Sequence, residues 1–486
     1  MPIRAADFVI LLVYLGGITL FGVRFRRGQS SVRDYFLGGR SAPWWALAAS
    51  IVATETSTLT IIGTPAIAFA GTLGFLQLAL GYIAGRVLIS ALFLPAYFRG
   101  EFYTAYALIE KRFGAQTRRI AALTFLGTRA LAEGVRLNAI GKVVSVAFGT
   151  GSRVSVAAIT ALTLLYTFEG GMKAVIWTDL VQLLLYLAGS VAAFWLLLGK
   201  IPGGWNEVVR VSAAAGGKLR VFDFAFSLTQ AYTFWAGVIG GTFLTLASHG
   251  TDQTIVQRLL AARNLRDSQK AILASGLIVF AQFALFLLVG VMLFVFAQHA
   301  PLAIPLGDRD RIFPAFVVNE MPVGIAGLVL AAILAVAMSN ASGSLNSLAS
   351  SSIMDFEALR SYGQGDPARL LGMSRRITLV WGAVLGALAL MDWGPVLEAG
   401  LSIASITYGS MLGLFLLGML NRRATSTGAV IGMVAGLAVI LWVRLYTPLA
   451  WTWYVLAGTV PTFVVGSLAS LLDNSAQMSG QNSSRS

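Results

Sequence analysis

The chain reads as an all-α integral membrane protein, with thirteen transmembrane helices and a core of two inverted five-helix repeats. Three observations predict this. Of 486 residues, 57% are hydrophobic and only 12% charged, against roughly 25% charged in soluble domains. Apolar runs long enough to cross a bilayer recur along the whole chain. The second of them, PWWALAASIVATETSTLTIIGTPAIAFAG from Pro43 to Gly71, is interrupted by a polar stretch from Ala53 to Thr60.

The first run, 6–23, ends in RFRRGQ rather than a small-residue cleavage site, so it predicts a retained helix and no signal peptide. The interrupted run, 43–70, follows. Thr54, Glu55, Thr56, Ser57, Thr58 and Thr60 cannot all face lipid, where each unsatisfied polar group costs several kcal/mol. Hydroxyl side chains offer the backbone other hydrogen bonds, and Pro65 breaks the ladder one turn on, so an unwound segment with free carbonyls is the expectation. Such breaks at mid-membrane are where secondary transporters bind ions and solutes. The alternative is an intact buried helix whose hydroxyls pack on its neighbours.

Further spans are predicted at 73–98, 120–148, 153–168, 174–199, 228–248, 271–298, 322–353, 377–393, 395–420, 427–446 and 450–472. Gly237, Gly240 and Gly241 in the span at 228–248 suggest a second interrupted helix opening a second repeat, although glycines also mark close helix packing. The chain then divides into a first helix and cytoplasmic loop (1–42), a first repeat (43–199), an extracellular loop (200–227), a second repeat (228–420), two further helices (421–472) and a disordered polar tail (473–486).

Charge placement sets the topology. Of 35 Lys and Arg, 22 fall in one set of alternate loops and 8 in the other, the remaining five being Arg86, Arg129, Arg136, Lys142 and Arg444 in helices. The positive-inside rule puts the N-terminus outside and the C-terminus in the cytoplasm of a cell (inner) membrane. The net charge of +14 is thus a membrane signal and predicts no nucleic-acid partner. With no Cys and two His, the chain offers no thiolate metal site, and it lacks both a GxxxxGK[ST] loop and a nucleophile with its base. Neither an enzyme nor an ATP-driven pump is expected, and a solute receptor is disfavoured because no signalling module is attached. Arg129, Glu133 and Arg136 share one face of their helix and leave one positive charge over, which an organic anion could balance. A structural ion pair of Glu133 with either arginine is the alternative.

YTFEGGMKAVIWTDLVQ, Tyr166 to Gln182, resembles the signature of the sodium:solute symporter family through Tyr166, Thr167, Gly170, Gly171, Ala174, Val175, Thr178, Asp179 and Gln182. FLGGRSAPWWALAAS, GTDQTIVQR and SNASGSLNSLASSSIMD extend the resemblance over most of the chain. It implies the five-plus-five transporter fold and a main sodium site made by the carbonyls of Ala53, Thr56 and Val336 with the side chains of Ser339 and Asn340. Asn340 departs from the usual Ser or Thr. A second sodium beside Asp179, Ser339 and Ser342 is implied by the sialic acid carriers, with Gly343 lacking the hydroxyl found there; a structural Asp179 is the alternative. Ser57, Thr60 and Gln77 match substrate contacts, and Arg129 matches a carboxylate-binding arginine more closely than Arg136 does. Sugar carriers carry an aromatic gate where Ala247, Ser248 and His249 stand here. The resemblance therefore implies sodium-coupled symport of a sialic acid, monocarboxylate or sugar acid, with sodium, a small solute and the bilayer as partners and no required protein partner. A sugar or amino-acid symporter is the runner-up. Glu55 at the break also allows a proton-coupled carrier, and His249 a gate that titrates near neutral pH.

Overall fold

A computed structural model describes residues 3–24, 40–99, 105–166, 172–300, 308–354 and 367–483. Within them the chain is helical, and the one extended pairing is a bridge between Ala42 and Ala262. The first helix, α1 (Ala5–Arg24), is tied down by Asp7, which accepts the Gly324 and Gly327 amides at 2.7 and 3.0 Å.

The interrupted run forms two helices, α2 (Trp44–Glu55) and α3 (Thr58–Ala70), meeting at 67°. Thr56 and Ser57 between them are extended. The Thr56 amide closes α2 on the Val52 carbonyl, whereas the Thr60 and Ile61 amides both turn to Ser57. The Ala53 and Thr56 carbonyls are thereby left outside the helical ladder.

Next come α4 (Leu76–Leu88), a π turn at Ile89–Phe93, α5 (Leu94–Arg99) and α6 (Ala105–Phe148). α6 starts well before residue 120 and bends at Gly114, whose φ of 82° is open to glycine without strain. α7 (Ser152–Tyr166) and α8 (Met172–Lys200) follow, and the loop 200–227 holds a short helix, α9 (Gly204–Ala214). Part of the YTFEGGMKAVIWTDLVQ signature, 167–171, lies outside the described residues.

The second half begins with α10 (Phe234–Gly250), started by the Thr233 hydroxyl rather than at residue 228. α10 is unbroken, which corrects the reading of its glycines as an interruption. Gly237 and Gly241 let it lie against α4, a Cβ on Gly241 standing 2.4 Å from the Leu78 carbonyl, while Gly240 faces Thr452. Then come α11 (Gln253–Leu260), α12 (Leu265–His299), α13 (Ile312–Glu320), α14 (Ile325–Met354), α15 (Pro367–Ala389), α16 (Val396–Leu420), α17 (Ser426–Tyr446) and α18 (Tyr454–Ser483). α18 continues past Asp473, where the polar composition predicts disorder, because extending a formed helix needs no new nucleus.

Among the described residues, six helices are long and apolar enough to cross a membrane, or seven with the bent pair counted as one span. The shortfall from thirteen has a physical cause. α6 carries Arg129, Glu133 and Arg136, and α14 is apolar only over Ile325–Met338 before its Ser- and Asn-rich half begins. Helices that give up apolarity in this way are buried by neighbours. α2 packs on α8 and α12, α3 on α12 and α16, and α6 on α14, α15 and α16.

Candidate functional site

The break in α2/α3 opens on a cavity of about 170 Å³. Thr54, Glu55, Ser57 and Thr60 reach it from the break, Arg129 and Arg136 from α6, His249 from α10 and Asn340 from α14. Eight polar residues singled out in the sequence thus share one space.

The side chains flanking the free carbonyls are each fixed. Thr54 Oγ1 donates to the Ser50 carbonyl at 2.7 Å, and Thr56 Oγ1 accepts from Gln282 Nε2 at 2.7 Å. Ala53 and Val336 are buried beside the cavity. Asn340 Nδ2 is buried and without a partner. Oxygen and nitrogen of an amide differ little in shape, so turning the group would present a lone pair there instead. The side chains of Ser339 and Ser342 lie outside the described residues.

On α6 the two arginines take different partners. Arg136 Nη1 donates to Glu133 Oε2 at 3.2 Å, forming the structural ion pair. Arg129 instead gives its Nε to Ser344 Oγ at 2.9 Å, and that oxygen lies 2.7 Å from Glu133 Oε2 and 2.8 Å from the Asn340 carbonyl. Arg129 also lines the cavity, and a guanidinium is a group suited to a carboxylate. Asp252, from the turn before α11, lines the same cavity with Oδ2 held by Tyr408 Oη at 3.1 Å. The sequence gave no sign of it, because that acid also serves as the helix cap, accepting the Thr254 amide.

Two residues are placed elsewhere. Gln77 is absent from the cavity lining and fully satisfied: Nε2 donates to the Gly74 and Tyr232 carbonyls at 3.2 and 3.0 Å, and Oε1 accepts the Asp223 amide at 3.0 Å. It joins α4 to the segment before α10. Asp179 is also outside the lining; its Oδ2 accepts from Ser50 Oγ at 2.6 Å and Arg258 Nη2 at 3.2 Å. Arg258, buried on α11, was not anticipated, since a basic residue in a loop region is read as a solvated topogenic charge. Glu55 too has an unforeseen partner, the fully buried Arg86, and His249 Nε2 stands 3.4 Å from the same carboxylate.

A second cavity, about 290 Å³, is lined by Gly63, Gly71, Arg309, Asp310 and Glu398. Leu397 borders both spaces. Beside it Tyr232 Oη donates to Glu398 Oε1 at 2.8 Å, and Gly63 lets Leu397 close in, since a Cβ there would sit 2.5 Å from that of Leu397. Among the described residues, no three His, Cys, Asp or Glu cluster as a metal site. A cation at the break would therefore depend on neutral oxygens, which suit a hard ion such as sodium.

A sequence model of the sodium:solute symporter family matches residues 35–436. The sodium/sialic acid symporter SiaT of Proteus mirabilis (strain HI4320) is 30% identical over 481 residues, covering 96% of this chain and 95% of that protein. The sodium/iodide cotransporter of Homo sapiens is 31% identical over 502 residues, covering 98% and 76%. A substrate-bound, outward-open sodium-coupled sialic acid symporter superposes with a TM-score of 0.84 at 28% identity, covering 96% and 98%. The inward-facing conformation of Mhp1, at 14% identity and a TM-score of 0.57, shares the fold alone over 90% and 92%.

Proposed function

The chain belongs to the sodium:solute symporter family, and on that premise we propose that it couples sodium influx to uptake of a small organic anion by alternating access. The observation that carries the reading is the meeting of Ser57, Thr60, Arg129 and Asn340 in one cavity at the break of α2 and α3. Sodium is held by the Ala53 and Thr56 carbonyls, the Val336 carbonyl, Ser339 and the Asn340 amide oxygen. Arg129 clamps the carboxylate of a sialic acid, monocarboxylate or sugar acid, and Ser57 and Thr60 meet its other oxygens.

In the thirteen-span, five-plus-five topology with the N-terminus outside, the Arg129 cavity faces the cytoplasm of the inner membrane. The barrier of Leu397, Tyr232 and Glu398 then closes the outer side. Sodium bound from outside favours the arrangement that completes the solute pocket, and the coupling is the difference in affinity between the two arrangements. The engagement of Asp179 by Arg258 and Ser50 supports one sodium per cycle rather than two.

Thermal stabilisation of the purified protein against organic acids, sugars and amino acids, each in sodium or potassium, tests this. A carboxylate should stabilise in sodium only, and Arg129→Ala should abolish the effect. Stabilisation by neutral sugars, or by acids equally in potassium, would overturn the solute class or the coupling ion. Uptake into proteoliposomes separates a carrier from a receptor.

A further inference from the structure

Asn340 of α14 and Arg129 of α6 both line the cavity at the break, the first assigned above to sodium and the second to the carboxylate of the solute. A single hydroxyl joins them. Ser344, one turn on from Asn340 and fully buried, accepts from Arg129 Nε at 2.9 Å. Its Oγ also lies 2.8 Å from the Asn340 carbonyl and 2.7 Å from Glu133 Oε2. Bonding to the carbonyl four residues earlier is ordinary for a serine within a helix. Meeting an arginine and a buried carboxylate of a second helix with the same oxygen is not.

A serine hydroxyl has one hydrogen to give and two lone pairs to receive with. Arg129 takes a lone pair, and the hydrogen goes either to Glu133 or to the Asn340 carbonyl. These are two discrete arrangements of one rotor, the kind of element that two binding sites can bias together. Around it Asn340 Nδ2, Glu133 Oε1 and Arg136 Nε are buried without a hydrogen-bond partner. Such groups cost free energy until a ligand or a rearrangement satisfies them. Among the described residues Arg129 is hydrogen-bonded through Nε alone, so its other N–H groups are open to an anion.

We infer that Ser344 is the positioning residue that couples the two sites: its hydroxyl links the Asn340 turn of α14 to Arg129 of α6, so that sodium at Asn340 and a carboxylate at Arg129 favour the same arrangement of that hydroxyl. Symport requires such a shared preference, and linkage makes it reciprocal. A change at Arg129 is therefore felt at the sodium site, and Ser344 carries it. The inference rests on the sodium-coupled reading above.

The test uses sodium alone as the probe. Thermal stability of the purified protein is followed as sodium replaces potassium at constant ionic strength, and the sodium concentration at half-effect is read for the wild type, Arg129→Ala, Ser344→Ala and the double variant. Arg129→Ala should weaken sodium binding by at least about threefold, within the range of couplings inside one hydrogen-bond network. Coulomb's law alone predicts the reverse, because removing a positive charge near a cation site tightens it. In the Ser344→Ala background, adding Arg129→Ala should leave the sodium midpoint unchanged. A merely structural Ser344 would lower the melting temperature at every sodium concentration and leave the two Arg129→Ala shifts equal. Equal shifts, or a tightened midpoint in Arg129→Ala, overturn the proposal. If Ser344→Ala does not fold, Arg129→Lys decides, since it keeps the charge and removes the Nε–H that meets Ser344. A weakened sodium midpoint in Arg129→Lys supports the coupling, and an unchanged one overturns it. A wild type indifferent to sodium would instead strike the sodium-coupled reading, and this inference with it.

Discussion

Asp310 illustrates how a single residue couples the second cavity to its surroundings. Its Oδ2 accepts from Lys142 Nζ at 2.8 Å and from the Val396 amide at 3.1 Å. Burial pushes its carboxyl above the usual range, with Lys142 opposing. A carboxyl whose folded pKa exceeds its unfolded value, about 4, contributes stability below that unfolded value and loses it as pH rises through the folded one. Thermal stability should therefore decline as pH rises from about 4, and Asp310→Asn should remove that part of the decline; equal slopes in the two proteins would contradict this. Gln77 carries a related lesson. The family resemblance places it at a solute contact, and here three backbone groups satisfy it: the Gly74 carbonyl one turn before it, and the Tyr232 carbonyl and Asp223 amide, both distant in sequence.

Between elements, the contact of α12 with the broken helix rests on one absent side chain. Gly290 faces Pro65 of α3, and a Cβ on it would stand 2.2 Å from the Pro65 carbonyl. Gly290→Ala must push α12 off α3, and overpacking of this kind costs about 1–3 kcal/mol. Lower thermal stability together with weakened sodium stabilisation is the expected outcome, since α12 also holds Thr56 through Gln282. An unchanged protein would show that the two helices separate without cost. Gly237 and Gly241 of α10 serve the same purpose against α4.

For the whole molecule, the two cavities and the barrier between them describe one of two arrangements. Losing the Tyr232–Glu398 hydrogen bond, about 1.5 kcal/mol for a charged acceptor, should shift the population toward outer opening by roughly tenfold. The chain contains no cysteine, so a single Leu401→Cys in the cavity at the break reports directly. Tyr232→Phe should raise its labelling by an impermeant maleimide added outside, and sodium should change the labelling in both backgrounds. Equal labelling with and without Tyr232→Phe would remove this pair from the barrier.

The sequence by itself determined the helical membrane class, an interruption within Ala53 to Thr60, the family and most of the polar residues that gather at the cavity. These are local or periodic properties: apolar run length, hydroxyl clusters beside a proline, and the spacing of Arg129, Glu133 and Arg136 on one helix face. Only the tertiary structure decided how the charges pair. Arg86 with Glu55, Arg258 with Asp179 and Ser344 between Arg129 and Glu133 join residues from different helices. A buried charge is stable only with its partner, and no local pattern along one chain announces which distant residue that partner is.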